Sequence, residues 1–213
     1  MNRLRVSDEG GALRNRFQLA RRLGILVLVF IASCAPHPTL GRPAFIGASA
    51  TAGYGASVTT DDGDELPVDL AVMFEASVTA RHDTPRRFSD GAFFARPSEA
   101  AREQLAALQG GDASIIFAID WLFWSVYAPT SAPPGTSDAA TERAARLGES
   151  LALLETFDGQ GVVIVLGDIP PIPLSDTGSS FIPRERHLSD SERQALNDAI
   201  EAWAASRSNV IVL

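Results

Sequence analysis

The chain contains no lysine; all 18 of its basic residues are arginine, spread over 213 positions. That absence excludes a Walker-type nucleotide site, which needs a lysine on the phosphates. There is one cysteine, Cys34, which excludes an intramolecular disulfide framework and a cysteine-rich zinc module. Histidine is scarce as well, with three residues. Positive charge is thin outside the N-terminus: beyond residue 33 there are 12 Arg against 24 acidic side chains, a formal charge of −12. A body of that sign repels phosphate backbones, so nucleic acid is not expected as a partner. With 46% apolar and 21% charged residues, the composition is not that of a disordered tail, a collagen or a coiled coil. The length suffices for one ordinary domain with its own core.

The first 34 residues read as an address. An Arg-rich stretch ends at Arg21-Arg22, and Leu23 to Ile31 form a nine-residue apolar run. As a helix this run rises about 14 Å, half the hydrocarbon core, so it is too short to span a membrane. Its length and flanks suit the apolar region of a signal peptide. Ile31-Ala32-Ser33-Cys34 resembles a bacterial lipobox, in which the cysteine is acylated and becomes the new N-terminus. Several acyl chains on one residue anchor stably where one is marginal. An ordinary signal peptide with an incidental cysteine is the plainer alternative. The residues after the twin arginine do not support a folded-export signal, and the long n-region with Asp8 and Glu9 suggests a start downstream of Met1. The expected layout is a signal peptide at 1–33, a tether at 34–42 and a domain at 43–213. The expected location is the bacterial cell envelope, lipid-anchored on its periplasmic or extracellular face.

Apolar bursts alternate with amphipathic stretches through the body. Ala44-Phe45-Ile46, Ser114 to Ile119, Val162 to Leu166 and Asn209 to Leu213 are continuous apolar runs, the pattern of strands buried on both faces. Helices are expected at Val68 to Ser77, Pro97 to Leu108, Asp138 to Phe157 and Ser189 to Ser206. The last opens with Ser189-Asp190-Ser191-Glu192, where a hydroxyl caps and acids complement the dipole. Residues 78–94 are polar, with a short edge strand suspected among them; 128–137 and 169–183 are Pro-rich loops. Strands separated by helices specify a parallel sheet covered on both faces, an α/β domain with three α/β/α layers and a flavodoxin-like sheet. Ligands in such sheets bind beyond the carboxyl ends of the strands. That rule selects Gly47 to Gly55, Asp120 to Tyr127 and Gly167 to Ser175.

Gly47-Ala48-Ser49 follows the first strand, among residues too small to cover a serine hydroxyl. Backbone N–H groups at such a turn can face an oxyanion or cradle a phosphate, and a plain strand-to-helix turn is the bland alternative. Here the chain resembles the SGNH/GDSL hydrolases, whose first block is a strand followed by Gly-Asp-Ser. The resemblance runs from about 43 to 213 and includes Asp120-Trp121-Leu122-Phe123-Trp124 after the second strong strand and Gly167-Asp168-Ile169-Pro170 after the third. It implies a serine ester hydrolase with Ser49 as nucleophile, and Ala50 and Gly91 as backbone oxyanion donors. Ala48 stands where the family has Asp. Asp120 stands where the family's third block has an oxyanion-binding Asn, and an ionised carboxylate cannot donate a hydrogen bond. Asp120 is therefore expected either to stay protonated, to position a water or Ser49, or merely to cap the loop after its strand.

The family's Asp-x-x-His follows its last strand, and this sequence stops at Leu213, so truncation before that block is expected. His82 and His187 are the weak candidates for a base; His37 falls in the tether. Asp61, Asp62, Asp64 and Glu65 form an acidic loop without the spacing of a Ca²⁺ loop, and no metal or cofactor is expected. Trp121, Phe123, Trp124 and Tyr127 either line an acyl or aryl pocket or belong to the core. The expected substrate is an ester-type small molecule, a lipid or an acylated glycan. A catalytically inactive, envelope-anchored binding domain on the same fold is the alternative.

Overall fold

Phe45, Phe117, Val165 and Ile211 lie side by side in one row across the centre of a parallel sheet. The computed structural model describes residues 40–109, 111–172 and 182–213. The expectations for the signal peptide, the lipobox and most of the tether fall outside these residues. Among the described residues there are seven strands: β1 (Pro43–Phe45), β2 (Ser57–Thr59), β3 (Glu65–Pro67), β4 (Arg86–Arg87), β5 (Ile115–Ala118), β6 (Val163–Leu166) and β7 (Val210–Val212). The helices are α1 (Leu70–Ser77), α2 (Pro97–Gln109), α3 (Trp121–Tyr127), α4 (Ser137–Leu154) and α5 (Asp190–Ala205). The main sheet has the order β4-β1-β5-β6-β7 with every pair parallel, and β2 and β3 form a separate antiparallel hairpin.

The crossover from β1 to β4 steps one way along the sheet, and those to β5, β6 and β7 step the other way. Right-handed crossovers then place α1 on one face and α2, α4 and α5 on the opposite face. The packing agrees. Ala44, Ile116, Ile164 and Leu166 join Leu105, Leu108, Leu147, Leu151 and Ile200 in one core cluster. The alternate residues turn to the α1 face, where Phe74 packs on Phe45 and Phe117 with ring centroids 5.6 and 5.3 Å apart. The result is a three-layer α/β/α domain.

Local chemistry sets the helix starts. Asp69 caps α1 by accepting from the Val72 N–H (2.7 Å), so the helix begins two residues later than the apolar pattern suggests. Ser189 caps α5 through the Glu192 N–H (3.2 Å), as its capping sequence predicts. The edge strand suspected within 78–94 is β4. The helix expected to reach Phe157 ends at Leu154 and tightens into a 3₁₀ turn, Glu155–Phe157.

Candidate active site

In an open sheet of this order the strand sequence reverses between β1 and β5, and their carboxyl ends flank a crevice. The chain leaves β1 through Ile46, whose N–H still donates to Phe117 O (3.0 Å), and turns at Gly47 with φ 143°. Gln104 on α2 brackets that glycine: Oε1 accepts from its N–H (3.0 Å) and Nε2 donates to its carbonyl (2.8 Å). The same carbonyl accepts from the Asp90 N–H (3.0 Å), just past β4. Residues 48–54 then form an irregular helical turn, with bonds from Ala52 N–H to Ala48 O (2.9 Å) and from Tyr54 N–H to Ser49 O (2.7 Å).

The first N–H groups of any helical turn lack partners inside it. Asp120, just beyond β5, supplies them. Its Oδ1 accepts from the Ala48 N–H (3.0 Å) and the Thr51 hydroxyl (2.6 Å), and its Oδ2 from the N–H groups of Ala50 (2.9 Å) and Thr51 (3.2 Å). An ionised carboxylate offers about four acceptor sites, and all are used. Asp120 is 7% exposed. Although it stands at the N-cap position of α3, it makes no cap bond to that helix.

These bonds correct several expectations. Asp120 has no lone pair left to orient a water or Ser49, and it presents no donor to an oxyanion; it caps a turn, but the one after β1 instead of its own. Ala50 does not face an oxyanion either, because its N–H is held by Asp120.

Ser49 is half-buried, and neither its Oγ nor its N–H is hydrogen-bonded among the described residues. Gly91 is exposed at the same sheet end, one residue past Asp90, and its N–H is likewise unbonded there. His82 lies at the opposite end. It forms a bridge with Gly41, ahead of β1, and its Nδ1 sits 2.9 Å from Asp83 O. His187 precedes α5 at the carboxyl end of the sheet, and its Nε2 is 3.0 Å from Ile182 O, with no hydrogen bond to Ser49. Neither histidine is therefore hydrogen-bonded to the serine, and His37 is outside the described residues.

Thr51 and Gln104 are the site residues that sequence reading missed. Gln104 leaves a trace: it occupies a buried position of α2 in the stripe of Ala100, Ala101, Leu105 and Leu108, where an apolar residue is the norm. The expected aromatic group divides. Trp121 is fully buried against Phe93, and Tyr127 is buried, its phenol pushed up by burial against the pull of a Leu188 backbone hydrogen bond. Phe123 and Trp124 are half-buried and continue to the exposed Phe94, which lies 5.8 Å from Trp124. Asp61, Asp62 and Asp64 are exposed at the hairpin turn between β2 and β3. A cleft of about 380 Å³ beside α2 and α4 is lined by Arg96, Arg102 and Arg146, among others, and contains neither Ser49 nor Asp120. Its arginines are paired with Glu99, Glu149 and Glu142 respectively.

Fold and site together define a three-layer α/β/α domain that carries a clamped serine turn in its switch-point crevice. No protein-family model and no curated protein matches the chain. Among solved structures it is similar to a protein described as an acylhydrolase from Bacteroides fragilis (13% identity, TM-score 0.43, covering 90% of this chain and 75% of that one). It is also similar to a GDSL-like lipase from Bacteroides thetaiotaomicron (14%, 0.43, 90% and 76%). A third is described as a platelet activating factor from Streptococcus pneumoniae (16%, 0.42, 97% and 80%). At these identities no residue role is transferred.

Proposed function

We propose that the protein is an exported, lipid-anchored ester hydrolase of the SGNH/GDSL type with Ser49 as its nucleophile. The observation that supports this best is the selective clamping of the turn after β1. Gln104 and Asp120 engage Gly47, Ala48, Ala50 and Thr51 and leave the Oγ and N–H of Ser49 unengaged. In this reading Ser49 Oγ attacks the acyl carbonyl of an ester-type small molecule, lipid or acylated glycan. The N–H groups of Ser49 and Gly91 hold the oxyanion. The alcohol leaves with a proton, and water then releases the acyl group from Oγ. A general base takes the serine proton; among the described residues neither His82 nor His187 is hydrogen-bonded to Oγ. Lipid anchoring rests on the sequence of residues 23–34.

The test is labelling of the full chain by a serine-directed fluorophosphonate. We expect adduct on Ser49 and none on Ser49→Ala, whose stability should stay within about 0.5 kcal/mol of the parent, as for a surface substitution. A folded protein without adduct on Ser49 would remove the hydrolase reading. It would favour an envelope-anchored binding domain, for which the engaged Ala50 N–H and the donor-free Asp120 are the supporting observations.

A further inference from the structure

We propose that Asp120 is a positioning residue: its carboxylate is the resident anion of the Ser49 turn, and the turn keeps its shape because an anion sits in it. For its effect on chemistry this rests on Ser49 being the nucleophile; for the anion site itself it does not.

Four observations converge. The N–H groups of Ala48, Ala50 and Thr51 and the Thr51 hydroxyl all point at one carboxylate, bracketing Ser49 on both sides and sparing only its own N–H. Hydrogen bonds to an ionised acceptor are about twice as strong as neutral ones, so this set fixes the turn more firmly than its internal bonds do. Second, an aspartate at an N-cap position ordinarily accepts from the N–H groups of its own helix. Asp120 makes no such bond to α3 and spends its capacity across the crevice. Third, among the described residues no arginine pairs with Asp120, and its partners are three backbone N–H groups and the Thr51 hydroxyl. Fourth, Gly47 makes the room: a Cβ there would stand 2.1 Å from Asp120 Oδ1. The turn's own sequence supplies no substitute, since Ala48 is fully buried and apolar.

If the anion does the positioning, a free carboxylate should replace it. Asp120→Ala removes the carboxylate and leaves the donors, and formate is the probe, with chloride at equal ionic strength as the control. In the full chain we expect Asp120→Ala to lower the melting temperature and formate to raise it again, with no formate effect on the parent. Labelling of Ser49 should fall at least about tenfold in Asp120→Ala, the scale of one lost buried hydrogen bond, and recover with formate. Formate acting no better than chloride on Asp120→Ala overturns the proposal.

Asp120→Asn separates positioning by charge from space filling. Its amide NH₂ would face the N–H donors of the turn, so we expect it to lose labelling too; full retention also overturns the proposal. Thr51→Val keeps the anion and removes one donor, and it serves where Asp120→Ala does not fold. Amide exchange at 48–51 should quicken about tenfold, and unchanged exchange counts against the proposal. If the parent is never labelled while formate still stabilises Asp120→Ala, the nucleophile reading falls and the anion site stands. If the parent is labelled and formate does nothing, the reverse holds.

Discussion

A methyl group on Gly47 would meet Asp120 Oδ1 at 2.1 Å and Thr51 Oγ1 at 2.6 Å, on a backbone whose φ of 143° other residues rarely adopt. Gly47→Ala therefore strikes the strain term and the anchor together. We expect a loss of about 2–4 kcal/mol, from backbone strain plus at least one broken buried hydrogen bond. Denaturant unfolding measures it, and a change below 1 kcal/mol would mean that the turn rearranges without Asp120. At this scale the sequence marks positions but not the partners of their hydrogen bonds. Gly47, Ser49 and Asp120 are all visible as residues just beyond buried strands. The role of Asp120 is not, because its donors lie 69–72 residues away in the chain, and residue type alone does not say which N–H groups meet a carboxylate. The Ala50 N–H is misread for the same reason.

At the scale of elements, helices α4 and α5 are joined by an ion pair that is largely removed from solvent. Arg143 is 2% exposed and donates to Glu192 Oε1 at 2.7 Å. Glu192 also belongs to the capping sequence of α5, donating its N–H to Ser189. Removing one partner leaves an uncompensated charge between the helices. Glu192→Ala should cost about 3 kcal/mol in denaturant unfolding, and the paired change Arg143→Met with Glu192→Leu should cost less, because no buried charge is left alone. Equal losses in the two proteins would mean that an unpaired buried charge is not what sets the cost, since the backbone N–H of residue 192 that Ser189 caps is kept in both. The buried strands and long helices are legible beforehand, since continuous apolar runs and helical stripes reflect burial directly. The hairpin of β2 and β3 is not. Its two strands are three residues each and exposed throughout, so no apolar alternation marks them, although Asp62-Gly63 is a hairpin signal. The short α3 is hidden in a run of aromatics that satisfies strand and helix patterns alike.

For the whole molecule, the proposal of export with an acyl anchor rests on the Arg-rich N-terminus, the apolar run 23–31 and Cys34. Among the described residues no helix is long and apolar enough to cross a membrane. Anchoring is tested at Cys34: a palmitate analogue should label the parent in a bacterial host, and Cys34→Ala should lose both the label and its partition into a detergent phase. A Cys34→Ala protein that still partitions with detergent would place the anchor elsewhere.

The sequence by itself determined the layers: where four strands of the main sheet and the four longer helices lie, that those strands run parallel, and which loops gather at one end of the sheet. Those follow from periodicity and burial, which are properties of neighbouring residues. Only the tertiary structure decided what the gathered groups do to one another. It gave Asp120 four donors and no free lone pair, clamped Gly47 with a glutamine from α2, and put His82 at the far end of the sheet. A hydrogen bond between residues seventy positions apart depends on register and side-chain direction, and these exist only once the sheet has closed.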